Sequence, residues 1–489
     1  MAAAAALLGM FAWAFYFRAD LVLSHYDAKA HLVVARRVID NLTPGWQQVG
    51  AVWLPLPHLL LLIPVQNDLL YRTGIAGSAL SLACLAITAF AAASFVRRTT
   101  GSVTGAAVAV ALLALNPNLL YLHTTPMTEP MLFAVTSLLV LWLYEWIQPD
   151  TDPLPPLPRK VGWLLFAAAW TRFEAWAVIA TAGVLVFVVL FYRGTPAREM
   201  VRRAVEFVAW PLAAVVLFLL NSRMTVGRWF VSDGFFIPDE TNANQAGKTL
   251  LAIIEGTRDL SGYAILAVVS AGAIATVWRG VRGRRWRSVW VAFALFGSAI
   301  LPFAAFYDGH PFRIRYMSAL VAAGALWCGI AIGMIPRRLQ LAAGLVLVAV
   351  SLVESPPLSA RAPMVIEAQI DRPAGIARQV VSECLSRQYR GEKILASMGS
   401  LAHYMQELSW HGLALRDFVH EGSGVIWEAA LESGPAPHTG WMLVEEVAEG
   451  GDVLAQRIRR DPSFTKGMTE TCASGGVALY RRGSVQRSE

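Results

Sequence analysis

The sequence predicts a polytopic α-helical membrane protein of about eleven transmembrane helices, followed by a C-terminal extracytoplasmic α/β domain. Hydrophobic residues make up 56% of the chain and charged residues 15%, and the mean hydropathy is +0.49. A soluble domain has about 25% charged residues. Runs of about 20 apolar residues recur through residues 1–355, whereas residues 356–489 are more charged and punctuated by glycine. We therefore predict a transmembrane domain at 1–355 and a second domain at 356–489.

The predicted spans follow from runs that match the thickness of a bilayer core. They lie at residues 2–17, 74–95, 103–122, 130–147, 161–177, 178–192, 204–220, 261–278, 289–306, 316–335 and 339–353. The first run has neither a basic start nor an evident cleavage site, so we interpret it as a retained helix. Thr171–Glu174 interrupts the fifth and sixth runs. If these two runs formed a single span, the orientation of everything after them would invert.

Clusters of basic residues set the predicted orientation. They occupy alternate connections, and positive clusters mark the cytoplasmic side; they lie at 97–98, 159–160, 193–203, 279–287 and 337–338. The N-terminus is then cytoplasmic, and the tail lies outside together with residues 18–73, 123–129, 221–260 and 307–315. Topology thus accounts for the net charge of +7, and no nucleic-acid partner is predicted. The predicted location is the cell (inner) membrane, with multiple passes.

The tail shows the pattern of a small α/β domain with its own core. Short apolar runs predict strands and longer periodic segments predict helices: strands at 394–397, 441–444 and 477–480, and helices at 401–413 and 452–460. Cys384 and Cys472 are the only cysteines of the tail. An extracytoplasmic location permits a disulfide between them, but sequence alone leaves their pairing open.

Acidic residues near the predicted outer face are the first candidates for a functional site. Asp27 directly follows the first span, and an ionisable group at the mouth of a membrane bundle is a candidate by default. Glu129 opens the fourth span at the same face. Each also has a simple explanation, because an acidic residue favours a helix N-terminus. The first outer loop, 18–73, is rich in Trp and Leu and is predicted to lie along the interface as short helices.

Basic residues at the same face complete the candidate set. Arg313 and Arg315 precede the tenth span on the side where positive charge is normally avoided. Arg172 lies near Glu174 between two spans, and a mutual ion pair is the simple alternative there. Guanidinium groups suit phosphate, and His58 could add a donor. Carboxylates and phosphate-binding groups at a membrane surface indicate an amphiphilic phosphorylated substrate.

Several short motifs follow one another along the first 355 residues. They are Tyr26-Asp27-Ala28 followed by His31 and Ala35-Arg36, then Trp53-Leu54-Pro55-Leu56-Pro57-His58, Thr128-Glu129-Pro130-Met131, Thr171-Arg172-Phe173-Glu174 and Arg313-Ile314-Arg315-Tyr316. Together they resemble the motifs of the GT-C class of integral-membrane glycosyltransferases, in particular the protein O-mannosyltransferase and lipid A aminoarabinose transferase group. The resemblance covers residues 1–355, and the tail is similar to the extracytoplasmic domain of many such enzymes.

The resemblance implies a glycosyltransferase with a polyprenyl-phosphate sugar as donor and an extracytoplasmic hydroxyl of a protein, lipid or glycan as acceptor. Asp27 matches the first-loop aspartate of the family, which implies a general base for an inverting reaction. Glu129 would orient Asp27, bind the sugar or help to hold a cation. The other expected residues are His58, Arg172, Arg313 and Arg315 at the donor phosphate, and Tyr26, His31, Trp53, Glu174 and Tyr316 as further substrate contacts.

Ala28 follows Asp27 where some relatives have a second acidic residue. Hard divalent ions prefer several oxygen ligands, so we predict no required metal or other cofactor, with a divalent cation as the open alternative.

Two other classes of protein stay open. A transporter or flippase of a lipid-linked or glycan substrate would also place ionisable groups inside a bundle, but no corresponding pair of broken spans occurs in the two halves of the sequence. A non-catalytic lipid- or glycan-binding membrane protein would explain the tail and the aromatic loop without needing Asp27. The sequence leaves the sugar, the acceptor and the oligomeric state undetermined.

Overall fold

The chain forms a helical bundle followed by a domain built on a mixed sheet. The computed structural model describes residues 1–148, 154–231, 239–446 and 451–483. The helices up to residue 354 are α1 (Ala2–Arg18), α2 (Tyr26–Arg36), α3 (Leu56–Leu61), α4 (Asp68–Arg72), α5 (Ile75–Thr100), α6 (Val103–Leu115), α7 (Pro117–Leu122), α8 (Glu129–Trp146), α9 (Arg159–Ala169), α10 (Glu174–Tyr192), α11 (Ala197–Val226), α12 (Ala246–Ser261), α13 (Tyr263–Arg282), α14 (Arg284–Arg287), α15 (Ile300–Tyr307), α16 (Ser318–Met334) and α17 (Arg337–Glu354). A 3₁₀ segment, Ser288–Ala299, joins α14 to α15, and another, Ile314–Met317, leads into α16.

Helical structure is present at every predicted apolar run. Within the described residues, six helical segments are long and apolar enough to cross a membrane: Ile75–Thr100, Glu174–Tyr192, Ala197–Val226, Tyr263–Arg282, Arg284–Tyr307 and Ile314–Met334. A membrane protein built on multiple helices is therefore confirmed. The full set of predicted spans and their orientation stay predictions.

Local sequence signals place the helix breaks, and one prediction needs correction. The runs predicted at 161–177 and 178–192 meet in the structure at residues 170–173, between α9 and α10. Trp170 and Thr171 close α9 with backbone hydrogen bonds to Phe166, Ala167 and Ala168. The boundary between the two helices therefore lies at residues 170–173 and not between residues 177 and 178 as predicted. The two runs form separate helices, α9 and α10, that pack against each other.

Small residues allow α6 and α16 to approach closely in the centre of the bundle. A Cβ atom on Gly105 would lie 2.5 Å from the carbonyl oxygen of Gly329, and one on Gly329 would lie 2.7 Å from Ala109. Such contacts leave no space for a larger side chain, and glycine at helix crossings is typical of membrane bundles.

The C-terminal domain contains a five-stranded sheet in the order β2-β1-β3-β5-β4. Its strands are β1 (Ile394–Ala396), β2 (Phe418–Val419), β3 (Trp441–Glu445), β4 (Met468–Ser474) and β5 (Val477–Arg482), and its helices are α18 (Pro363–Ala368), α19 (Arg372–Gln388), α20 (Met398–Leu408), α21 (Val425–Ser433) and α22 (Val453–Arg460). The strands β2, β1 and β3 run parallel, and β5 is antiparallel to β3 and β4. The predicted strands and helices are confirmed with shifted ends, while β2, β4, α18, α19 and α21 were not predicted.

A disulfide joins Cys384 of α19 to Cys472 of β4, with their Cα atoms 6.6 Å apart. The pairing that the sequence left open is thus present, and it fixes α19 against the edge of the sheet. The predicted domain boundary at residue 355 stays a prediction.

The sheet domain rests on the first outer loop, which runs between α1 and α5. Helix α2 packs against α20, and Lys29 of α2 donates to Glu407 of α20 at 2.6 Å. Gln406 donates to the carbonyl oxygen of Arg72 at 3.0 Å. The loop folds into the predicted short helices α2, α3 and α4, while their position along the membrane interface stays a prediction. The bundle also holds the loop, because the backbone N–H of Leu56 donates to the carbonyl oxygen of Trp170 at 3.0 Å.

Candidate active site

Helix α2 presents Asp27 at the junction of the bundle and the sheet domain. His25 caps this helix, since its Nδ1 accepts a hydrogen bond from the backbone N–H of Asp27 at 3.1 Å. Asp27 occupies the first turn, where the helix dipole favours a negative charge. The local sequence therefore fixes both the start of α2 and the place of the carboxylate.

Arg315 is the direct partner of Asp27. Its Nη1 lies 2.6 Å from Oδ2 of Asp27 and 3.0 Å from Nε2 of His25. Arg315 comes from the 3₁₀ turn before α16 and is buried, with 7% of its surface exposed. The structure thus brings together a carboxylate and a guanidinium that are 288 positions apart in the sequence.

The charge of Arg315 controls the ionisation of Asp27. Burial by itself would raise the pKa of the Asp27 carboxyl, but the nearby Arg315 guanidinium outweighs it and holds this pKa well below its usual range. Burial lowers the pKa of His25 to about 3, and Arg315 acts in the same direction. At neutral pH Asp27 is therefore a carboxylate and His25 a neutral imidazole.

A second set of charges lies behind this pair. Arg172 approaches Glu129 at 3.1 Å and Glu174 at 2.6 Å, and it donates to the Thr128 hydroxyl at 2.7 Å. Oε1 of Glu129 also lies 3.9 Å from Nε of Arg315. Glu129 is 1% exposed and so links the two arginines inside the protein. The ion pair between Arg172 and Glu174, which the sequence allowed as the simple alternative, is present.

The histidines of the first outer loop, His31 and His58, form a further buried contact. Nδ1 of His31 lies 3.1 Å from Nε2 of His58, and Nδ1 of His58 lies 3.2 Å from the carbonyl oxygen of Leu54. The Trp53 ring packs on His31, with ring centres 4.1 Å apart. Both nitrogens of His58 are engaged in this arrangement, and its role at the donor phosphate stays a prediction.

The remaining predicted residues surround the Asp27–Arg315 pair. The Tyr26 ring stacks on His25 with centres 4.8 Å apart. The Arg315 guanidinium lies 5.5 Å from the centre of the Tyr316 ring. Arg313 is near enough to lower the pKa of His25, after burial and Arg315. The predicted residues are thus gathered around one centre, with His31, Trp53 and His58 on the side of the first loop.

Two contributors were not predicted from the sequence. His25 caps α2, although histidine is not among the usual capping residues. Glu367 of α18 accepts from the backbone N–H of Ile314 at 2.8 Å, and its Oε1 lies 3.9 Å from Nε2 of His25. Burial raises the pKa of the Glu367 carboxyl. No local pattern indicated Glu367, because its contacts connect the tail to the turn before α16.

A cleft of about 500 Å³ opens between the end of α1 and the sheet domain, with Lys29, Arg72, Asp371, Glu407 and Trp410 among its lining residues. Lys29 lies two positions after Asp27, which places it on the opposite side of α2. The cleft is therefore separate from the Asp27–Arg315 pair.

Across the described parts of the chain, no group of three or more His, Cys, Asp or Glu side chains could hold a metal ion. The absence of a required cofactor stays a prediction.

At the sequence level, neither a family model nor a curated relative matches the chain. The fold, however, is similar to that of ArnT, so the resemblance to the GT-C class predicted from the sequence is confirmed at the level of the fold. One similar structure is ArnT from Cupriavidus metallidurans bound to undecaprenyl phosphate, with a TM-score of 0.58, 12% identity and 98% of each chain covered.

The apo form of the same ArnT has a TM-score of 0.56 and 13% identity, covering 96% of this chain and 97% of that chain. The Archaeoglobus fulgidus oligosaccharyltransferase in its apo form has a TM-score of 0.47 and 11% identity, covering 99% of this chain and 74% of that chain. The match to ArnT includes the sheet domain as well as the bundle.

Proposed function

We propose that this protein is a glycosyltransferase that moves a sugar from a polyprenyl-phosphate-linked donor to a hydroxyl group outside the cytoplasm, with inversion at the anomeric carbon. The observation that supports it most is the buried pair of Asp27 and Arg315, 2.6 Å apart, on a fold that matches ArnT over almost its whole length. A carboxylate can accept the proton of the acceptor, and a guanidinium can stabilise a departing phosphate.

The proposed reaction is a single displacement. The acceptor oxygen forms a bond to the anomeric carbon and transfers its proton to Asp27. The bond between that carbon and the phosphate oxygen breaks, and the electron pair leaves with the polyprenyl phosphate. Arg315 stabilises the charge that develops on this oxygen. In the structure Arg315 pairs with Asp27, so the donor phosphate must draw Arg315 away before the carboxylate becomes an effective base.

The contacts of Arg172 favour a positioning role over the phosphate contact that the sequence predicts. Its guanidinium already holds Glu129, Glu174 and the Thr128 hydroxyl. Glu129 in turn lies near Nε of Arg315. We assign the phosphate to Arg315 with Arg313, and we assign to Arg172 and Glu129 the orientation of Arg315.

The membrane arrangement is part of the proposal. Eleven spans with a cytoplasmic N-terminus would place α2, the turn before α16 and the sheet domain together on the extracytoplasmic side. The contacts between α2 and α20 support this arrangement, because elements that touch must lie on one side of the bilayer. The alternating basic clusters support the same orientation.

The test is mass spectrometry of the purified protein in nanodiscs with undecaprenyl-phosphate-linked sugars and candidate protein, lipid and glycan acceptors. The proposal requires an acceptor whose intact mass has increased by one sugar residue, without any transmembrane gradient. A donor that binds but is never transferred to an acceptor would indicate a binding protein. Movement of intact donor between leaflets, without a glycosylated product, would indicate a flippase.

A further inference from the structure

The hydrogen bonds of His58 determine which nitrogen of its ring carries the proton. A carbonyl oxygen only accepts, so the contact of 3.2 Å with Leu54 requires a proton on Nδ1 of His58. Burial lowers the pKa of His58 to about 3, so the ring is neutral and has a single N–H. Its Nε2 therefore has a lone pair and acts as an acceptor.

The same reasoning extends to His31. Because Nε2 of His58 accepts, Nδ1 of His31 must donate across the 3.1 Å contact. Burial, and next the neighbouring His58, hold the pKa of His31 well below its usual range, so this ring is also neutral. Its proton is on Nδ1, and its Nε2 presents a lone pair. None of the described residues forms a hydrogen bond with that nitrogen.

The acceptor nitrogen Nε2 of His31 belongs to the same site as Asp27. His31 follows Asp27 by four positions in α2, and residues with this spacing share one face of a helix. Asp27, Arg172 and Arg315 are all near enough to influence the charge of His31. The ring is 3% exposed, and an acceptor nitrogen that no protein group satisfies is open to a donor from a ligand. A substrate group that donates a hydrogen bond would pair with it.

The donor sugar is the group that fits. A phosphate oxygen has no proton to give, so the lone pair of His31 favours a hydroxyl and disfavours the phosphate. The attacking hydroxyl has one proton, which the proposed reaction transfers to Asp27. Another hydroxyl must therefore satisfy His31, and the sugar being transferred has its ring next to the attacking oxygen.

We propose that Nε2 of His31 accepts a hydrogen bond from a ring hydroxyl of the donor sugar and so selects the sugar, and that His58 is the positioning residue that fixes this nitrogen as an acceptor. This inference rests on the proposed function and adds the residues that determine which donor is used.

The experiment compares undecaprenyl-phosphate-linked mannose, glucose and arabinose with their monodeoxy analogues, in both transfer and competitive binding. We expect the parent protein to prefer the hydroxyl form over one deoxy analogue of the accepted sugar by about 2–10-fold, the net contribution of one hydrogen bond. His31→Leu should abolish this preference. His31→Gln should keep part of it, because the amide oxygen can replace the lone pair.

Variants of His58 separate the positioning role from a merely structural one. His58→Gln keeps an acceptor for the Nδ1–H of His31 and should keep the preference. His58→Phe removes that acceptor, so the proton of His31 can move to Nε2 and the preference should weaken. In the His31→Leu background, His58→Phe should have no further effect on the preference.

The outcomes of this experiment distinguish failure of the His31 inference from failure of the proposed glycosyltransferase function. Equal use of every deoxy analogue by the parent, or an undiminished preference in His31→Leu, would overturn the inference while the proposed function stands. If no donor is transferred but binding shows a hydroxyl preference that His31→Leu abolishes, His31 recognises the sugar of a bound lipid, and the proposed transfer reaction fails. Absence of both transfer and preference would refute both.

Discussion

Replacement of Arg315 by glutamine should change the pH dependence of the enzyme in a specific direction. Arg315 lies 2.6 Å from Asp27 and opposes the effect of burial, which by itself raises the pKa of the carboxyl. Without the guanidinium, burial prevails and the pKa of Asp27 rises. As the pH falls through the usual range of a carboxyl pKa, Asp27 stays ionised in the parent. In the Arg315→Gln variant, Asp27 becomes protonated over the same range.

The expected size of the effect has two parts. At alkaline pH, where Asp27 is ionised in both proteins, the variant loses only the stabilisation of the leaving phosphate, a fall in kcat of about 10²–10³-fold. As the pH falls below the raised pKa, kcat/KM should decrease further, by about tenfold per pH unit for a single proton. The parent should show no such decrease over the same interval.

The assay is kcat/KM for the lipid-linked donor between about pH 4 and pH 9, because this quantity reports the free enzyme. Arg361→Gln is the matched control, since Arg361 is an exposed arginine outside the site, and its profile should match the parent. A profile of Arg315→Gln that is parallel to that of the parent at every pH would refute the control of Asp27 by Arg315.

Three further predictions concern stability and topology. Non-reducing peptide mapping should recover Cys384 linked to Cys472, and reduction should destabilise the sheet domain by about 4–5 kcal/mol in the chain-entropy model for a separation of 88 residues; two free thiols would contradict this. Arg378→Met should destabilise the domain by about 3 kcal/mol in thermal unfolding, because Asp371 would lose this buried arginine and Glu407 would keep only Lys29; an unchanged melting temperature would contradict this. In intact cells, an impermeant thiol reagent should label Ser433→Cys but not Arg284→Cys, and the reverse pattern would overturn the orientation.

The bundle could be predicted because long apolar runs leave few alternatives to a membrane helix. Helix α12 lacks such a run, and it was missed within the loop predicted at 221–260. Strand β4 was missed because most of its residues are exposed or half-buried, so it has no clear apolar pattern. β2 has only two residues, too few for any periodicity.

The site was predicted in part for the same physical reasons. Asp27, Glu129 and Arg315 were recognisable because charges at the mouth of an apolar bundle are unusual. Their pairing, and the contact of Glu367 with the turn before α16, depend on packing between distant segments. The role of His58 depends on a single carbonyl group, that of Leu54, and no sequence pattern records such a contact.

The most direct test of the account is the transfer rate of Asp27→Asn beside that of Asp20→Asn, with an intact product mass as the readout. Asparagine keeps the shape of the side chain but cannot act as a base, so turnover should fall by about 10²–10⁴-fold with little change in donor affinity. Asp20 lies in the same loop with a φ of 56°, which asparagine tolerates, so its variant should transfer sugar like the parent. Near-normal transfer by folded Asp27→Asn would contradict the central claim.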